Sequence, residues 1–399
     1  MLDVNHIEYT PATSPLLTGP DALEGAVAAD SVDQYVAGHY GQPAQEQRAL
    51  AHGRAVVDLS HYGIVTMTGA DRLTLLHTLT TQQFQGIPSP INSETLFLDI
   101  KGRIEIAAKV HDDGETTYLI TEPTMNATLL DWLTRMQFAA RVDIADRTGE
   151  LALLGATDEV PGLGEPVWLD PWPGVSAGGY AYTDTPDDHP AVHEDYAWRL
   201  YIIDTQELVT TVENLPEEFR MAGTMASEAL RVAAGRPRQI LDTDERSIPH
   251  ELDWLRTAVH IDKGCYKGQE TVARVHNLGH PPRRFVGLMI DGSVHGLPEI
   301  GAEIIVRPEG DDQEAMAKAR SIGTLKSVAM HHEMGAIGTA VIRRNTAVDA
   351  ELIIRETPPE DAASDQDPNF TAASQVILTP SDAGKVVGRV QGLTNLRRR

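Results

Sequence analysis

The apolar positions change period several times along the chain, and each change marks an element. Residues 1–20 are rich in Pro, Thr and Ser without periodicity, which predicts a mobile arm. Helices are expected next over 21–37 and 44–52, with "GHYGQP" between them. "AVVDLSHYGIVTMTG" (55–69) reads as strand, turn and strand. In "ADRLTLLHTLTT" (70–81), Leu73, Leu76 and Leu79 share one helical face, and Asp71 in the first turn suits the helix dipole. "SETLFLDIKGRIEIAAKVHD" (93–112) alternates on either side of Lys101 and Gly102, the pattern of a hairpin. A strand at 115–122, a helix at 123–137 opened by Pro123, and strands at 140–148 and 150–156 complete this stretch.

The middle third is less regular. A Gly/Pro-rich crossing (161–179) leads to a strand at 196–204, and a long helix is expected over 216–235. Beyond "PPRRF" (281–285) the texture turns to short strands at 285–292, 302–308, 321–330, 335–343 and 350–355, the pattern of a small β-barrel or sandwich. An acidic, Pro-containing linker near 356–370 precedes a last strand at 374–380 and the basic tail "LRRR". Antiparallel strands with intervening helices indicate an α+β fold rather than a parallel α/β sheet. The expected division is an arm (1–20), an α+β domain (21–150), a second α+β domain (151–282) and a barrel domain (283–399).

Composition changes this picture in two respects. The chain has 399 residues, too many for one ordinary core, which agrees with several domains. Its formal charge of -25 repels nucleic-acid phosphates and anionic lipid, so neither is expected as a direct partner, whereas a small anionic ligand needs only a local basic pocket. A single cysteine forms no internal disulfide. The N-terminal stretch lacks signal-peptide features, and no run of about 18 apolar residues occurs, so the cytoplasm is expected and a membrane is not.

That single cysteine, Cys265, lies in "KGCYKGQETVAR" (263–274). The glycine spacing does not match a phosphate-binding loop, and Cys265 has no CxxC partner for a structural metal. His260 and His276 flank the stretch, but a nucleophilic pair is not specified by sequence proximity. Gly264 and Gly268 allow tight turning and close approach of a ligand. Lys263 is placed to lower the pKa of a neighbouring thiol, Glu270 to accept from a ring N–H, and Gln269 to donate and accept. These residues suit a flat polar heterocycle, and by themselves leave Cys265 open between a reactive thiol and a small packed hydrophobe.

K-G-C-Y-x-G-Q-E, at Lys263, Gly264, Cys265, Tyr266, Gly268, Gln269 and Glu270, resembles the hallmark of the YgfZ family of folate-binding proteins, relatives of the glycine cleavage T protein (aminomethyltransferase). The stretch 48–82 is also similar to the N-terminal stretch of both families, 228–254 resembles the segment ahead of the motif, and the likeness covers roughly 20–355. The resemblance implies a multidomain α+β protein around a central tetrahydrofolate cavity, with a small C-terminal β-barrel. It implies a role in iron–sulfur cluster assembly or repair, with iron–sulfur enzymes or assembly proteins as partners and tRNA-modifying enzymes supported by it. By carry-over, Cys265 is the functional thiol with Lys263 beside it. Lys263, Tyr266, Gln269, Glu270, Arg231, Glu251 and Arg274 are then folate-binding candidates.

Three departures matter. T proteins carry an acidic pair after the hairpin glycine, where this chain has Ile106 and Ala107, with Glu105 alternating to the opposite strand face. The T-protein "LRLEAG" is "LRVAAG" here, with Ala233 for the Glu. Both losses argue against aminomethyl transfer, which needs a positioned acid or base. A folate-dependent aminomethyltransferase, one-carbon transferase or demethylase using another base is the alternative. After Arg274 the expected basic stretch is replaced by "VHNLGHPPRRF", in which Arg283 and Arg284 are expected to serve the same place.

Overall fold

Alternating segments become two five-stranded sheets, a small two-stranded one and a barrel in the computed structural model, which describes residues 10–172, 174–182, 190, 196–292, 296–309, 312–356 and 368–386. In chain order the strands are β1 (Val27–Ala28), β2 (Ala37–His39), β3 (Ala55–Asp58), β4 (Gly63–Thr68), β5 (Ile91–Leu98) and β6 (Ile104–Asp112). Next come β7 (Thr116–Thr121), β8 (Asp143–Asp146), β9 (Leu151–Ala156), β10 (Val167–Leu169), β11 (Arg199–Asp204) and β12 (Arg220–Ala222). β13 (Arg283–Ile290), β14 (Glu303–Val306), β15 (Gly323–His331), β16 (Gly335–Arg343), β17 (Leu352–Glu356) and β18 (Asn369–Ile377) follow. The helices α1 (Pro43–Ala51), α2 (Arg72–Leu79) and α3 (Asn126–Met136) lie in the first third.

The first sheet runs β5-β6-β7-β4-β8, and the second β10-β11-β9-β3-β12, while β13-β16-β15-β14-β17-β18 closes into a barrel. The α+β fold expected from the sequence, with its small barrel, is therefore present. Alternation along β6 decides the faces of the first sheet. Ile106, Ala108 and Val110 enter a core with Leu76, Leu79, Phe97, Leu129 and Trp132. Glu105, Ala107 and Lys109 are left on the other face. A central core then joins Leu96 and Leu98 of this sheet to Trp172, Trp254, Val272, and Phe285 and Val341 of the barrel.

Four expectations differ from this structure. The arm over 1–20 is packed where it is described, with Ser14 donating to Asp58 Oδ2 at 2.5 Å and Leu16 1% exposed. The helix over 21–37 is replaced by turns, β1, a 3-10 turn at Ser31–Asp33 and β2. The Asp33 carboxylate is held there by Arg238, far along the chain, at 2.7 and 2.8 Å, and a long-range buried ion pair outweighs weak local propensity. The helix over 216–235 is broken into β12 and a helix at Thr224–Ala233. β12 pairs in parallel with β3, and Gly223 between them sits so close to Gly38 that a Cβ would meet its carbonyl at 2.1 Å. Finally, Val57 of β3 pairs with Gly155 of β9, so the second sheet draws strands from both sides of residue 150. Most of the acidic linker falls outside the described residues, and β18 begins at Asn369 within its expected span.

Candidate functional site

The free face of β6 looks into an inner chamber of about 70 Å³. Leu59 and Tyr62 close one side, Glu94, Ala107 and Lys109 come from the first sheet, and Tyr196 and Trp198 precede β11. The helix Thr224–Ala233 adds Glu228 and Arg231, and the segment after it adds Arg236 and Arg238. Ala107 thus faces the chamber while Ile106 is buried on the opposite face. Glu105 shares the face of Ala107, as the period of two requires, rather than the opposite one, and it is taken up by Lys267 at 3.1 Å.

The charges in the chamber are extensively paired. Arg238 holds Asp33 bidentately and reaches Glu122 at 2.8 Å. Arg236 holds Glu94 through two nitrogens at 3.0 and 2.6 Å and Asp170 at 3.1 Å. Arg231 binds Glu228 and Asp242 at 2.8 and 2.9 Å and donates to Ser327 Oγ at 2.8 Å. Burial pushes the Asp33 carboxyl upward, but Arg238 and His61 outweigh it and hold the group well below the usual range. Asp170 is raised by burial despite Arg236. Burial also raises the phenols of Tyr62 and Tyr196, which stay protonated and able to donate.

Lys109 differs from these arginines. Its ammonium lies 5.2 Å from the ring centre of Tyr62 and 5.9 Å from that of Trp168, and burial lowers its pKa. Next to the inner chamber is an outer one of about 550 Å³, and Asp33, Thr224 and Glu228 form part of both walls. Its lining is mostly apolar, including Met225, Leu297, Ile300 and Met330, and contains no Lys or Arg among the described residues.

The "KGCYKGQETVAR" stretch lies elsewhere. Lys263 is 5% exposed and donates to the carbonyls of His77, Thr80 and Gln82 at 2.5, 2.6 and 2.9 Å, covering the end of α2. An ammonium has three donors, and all three are used here, which leaves none for the thiol. Burial lowers its pKa to about 8. Tyr266 packs on the central core, with its ring 5.3 Å from Lys263 Nζ. Gln269 donates to the Lys263 carbonyl at 3.2 Å, and Cys265, Glu270 and Arg274 are exposed. Gly268, at φ +86, faces the Asp99 carbonyl in the hairpin turn. The stretch therefore clamps the first sheet's hairpin and α2 while presenting Cys265 outward.

Of the folate-binding candidates only Arg231 lines the inner chamber; Lys263, Tyr266, Gln269, Glu270, Glu251 and Arg274 do not. Glu251 is fully buried and pairs with Arg283 at 2.8 Å. Arg283 also binds Asp244, and Arg284 donates to the Thr346 carbonyl and to Gln375, so both arginines secure the barrel. His276 turns to Tyr182 at 3.3 Å. Sequence reasoning missed Lys109, Glu94, Glu122, Asp170, Arg236 and Arg238. For Lys109 a signal existed, since alternation sets it on the face of Ala107. For the others nothing local distinguished a chamber wall from a solvated face.

No family model matches the chain. In the aminomethyltransferase T of the glycine cleavage system from Bartonella henselae the same fold recurs, with a TM-score of 0.66 over 90% of this chain and 94% of that one, at 13% identity. The chain thus has the glycine cleavage aminomethyltransferase fold. Its sequence relatives include a putative chloroplastic transferase of Arabidopsis thaliana, 26% identical over 72% of this chain, of whose length the match spans 66%. They also include the tRNA-modifying protein YgfZ of Yersinia enterocolitica, 25% identical over 62% of this chain and 74% of that protein. YgfZ of Yersinia pseudotuberculosis is 21% identical over 75% and 88% respectively. Within the fold class, the chain is similar in sequence to these YgfZ proteins.

Proposed function

We propose that the chain is a tetrahydrofolate-binding accessory protein in iron–sulfur cluster assembly or repair, supporting tRNA-modifying enzymes in the cytoplasm. The observation that carries the folate half is the chamber itself. Tyr62, Tyr196 and Trp198 supply flat faces, Lys109 an uncommitted donor, and Ala107 stands where transfer chemistry would want a carboxylate. The Lys109 donor and the phenols suit the polar edge of a pterin. The exposed thiol supports the other half, because Cys265 is presented outward where a partner protein can reach it.

Calorimetry with tetrahydrofolate under anaerobic conditions is expected to show one site per chain, and no heat at millimolar ligand would remove the folate half. Cys265→Ala in cells is expected to lower iron–sulfur enzyme activities while leaving folate affinity unchanged. Full activity of those enzymes would sink the role of the thiol. The transferase alternative is disfavoured because the chamber carboxylates Asp33, Glu94, Glu122, Asp170 and Glu228 are all engaged by arginines. Turnover of methylene- or methyl-tetrahydrofolate by the purified protein would reverse that judgement.

A further inference from the structure

Among the described residues four cationic side chains line the inner chamber, and the three arginines are each matched by carboxylates. Lys109 is the fourth. Strand register sets it directly opposite Glu94 on β5, the arrangement in which opposite charges normally pair across a sheet. Arg236 takes both Glu94 oxygens instead, and Thr257 donates its hydroxyl to the same carboxylate. Among the described residues Lys109 Nζ then has no hydrogen bond and no carboxylate within 4.0 Å, only the faces of Tyr62 and Trp168. Lys109 is half-buried at the chamber wall, so its ammonium is left open to whatever occupies the chamber.

We propose that Lys109 is the ligand-contacting cation of the inner chamber, donating to the carbonyl-type oxygen on the edge of a flat heterocycle. The charge count decides against a strongly anionic ligand. Asp33, Glu94, Glu122, Asp170 and Glu228 face Lys109, Arg231, Arg236 and Arg238, five acids against four cations, so a phosphate would meet net repulsion. A neutral ring with an acceptor edge pairs with Lys109 and lies against the aromatic walls without adding charge. The proposal rests on the folate reading only in that a pterin is one such ring.

The test compares wild type with Lys109→Met and Lys109→Gln by thermal unfolding and calorimetry. The probes are tetrahydrofolate and guanosine, whose base carries a similar amino-carbonyl edge. The expected result is a loss of affinity of at least about tenfold in both variants, the size of one charge-assisted hydrogen bond, with melting temperatures no lower than wild type. Guanosine binding that depends on Lys109, with no tetrahydrofolate binding, would support Lys109 and sink the folate reading. Tetrahydrofolate binding equally tight in all three proteins would overturn the role of Lys109 and leave the folate reading standing. Lower melting temperatures in both variants would identify a structural cation and overturn the proposal. So would a wild type that binds neither probe.

Discussion

Lys263 Nζ donates to three carbonyls at the end of α2, whereas Lys109 Nζ meets only ring faces. Lys263 is buried and fully satisfied, whereas Lys109 is half-buried and has no hydrogen-bond partner among the described residues. His250 shows a third use of burial. Its Nε2 lies 3.1 Å from the Val272 carbonyl, its ring stacks near Tyr182, and burial pulls its pKa from 6.5 to about 3. Between those values the unfolded chain takes up a proton that the folded one refuses, so His250 contributes stability above pH 6.5 that is lost as pH falls towards 3. His250→Gln, which retains an N–H donor, is expected to make the acid limb of the stability curve shallower by up to ~1.4 kcal/mol per pH unit. Denaturant titrations at several pH values check this, and an unchanged slope would exclude a buried neutral imidazole.

At the scale of elements, the two glycines of the motif have different work. Gly268 has φ +86 and would put a Cβ 2.6 Å from the Asp99 carbonyl, against the turn joining β5 and β6. Gly264 has nothing within 4 Å of the same added atom. Gly268→Ala is therefore expected to cost more than about 2 kcal/mol, from left-handed strain and the clash together. Gly264→Ala should stay within about 0.5 kcal/mol. Chemical denaturation distinguishes them, and equal costs would contradict the packing described. The broken helix at 216–235 follows the same logic. Apolar spacing favoured one helix, but the contact of Gly223 with Gly38 and the pairing of β12 with β3 fixed a strand before it.

For the whole molecule, a chain of charge -25 still places several arginines in its interior. Arg231, Arg236 and Arg238 are all 5–7% exposed and bind carboxylates from several parts of the chain. Removing one partner of such a pair costs about 3–5 kcal/mol, since the other charge stays buried. Among the described residues the outer chamber offers Asp30, Asp33, Glu228 and His332 and no Lys or Arg. On the proposed folate reading, a tail directed into the outer chamber would meet acids and apolar surface. A triglutamate form is expected to bind no more tightly than the monoglutamate, as calorimetry of the two would measure. A tenfold gain for the longer tail would require a cation outside this lining.

Periodicity by itself determined α1, α2, α3, the β5–β6 hairpin and the barrel strands, because these elements bury one repeating face and local spacing encodes that face. The motif determined the family resemblance, and the replacement by Ala107 was legible once the hairpin register was read. Tertiary structure decided the rest. The inner chamber is assembled from residues as far apart as Asp33 and Arg238, and long-range pairing of that kind leaves no periodic trace. It also decided that Lys263 secures α2 and that Cys265 faces outward, while Lys109, ordinary in sequence, stands unpaired because Arg236 took the carboxylate opposite it.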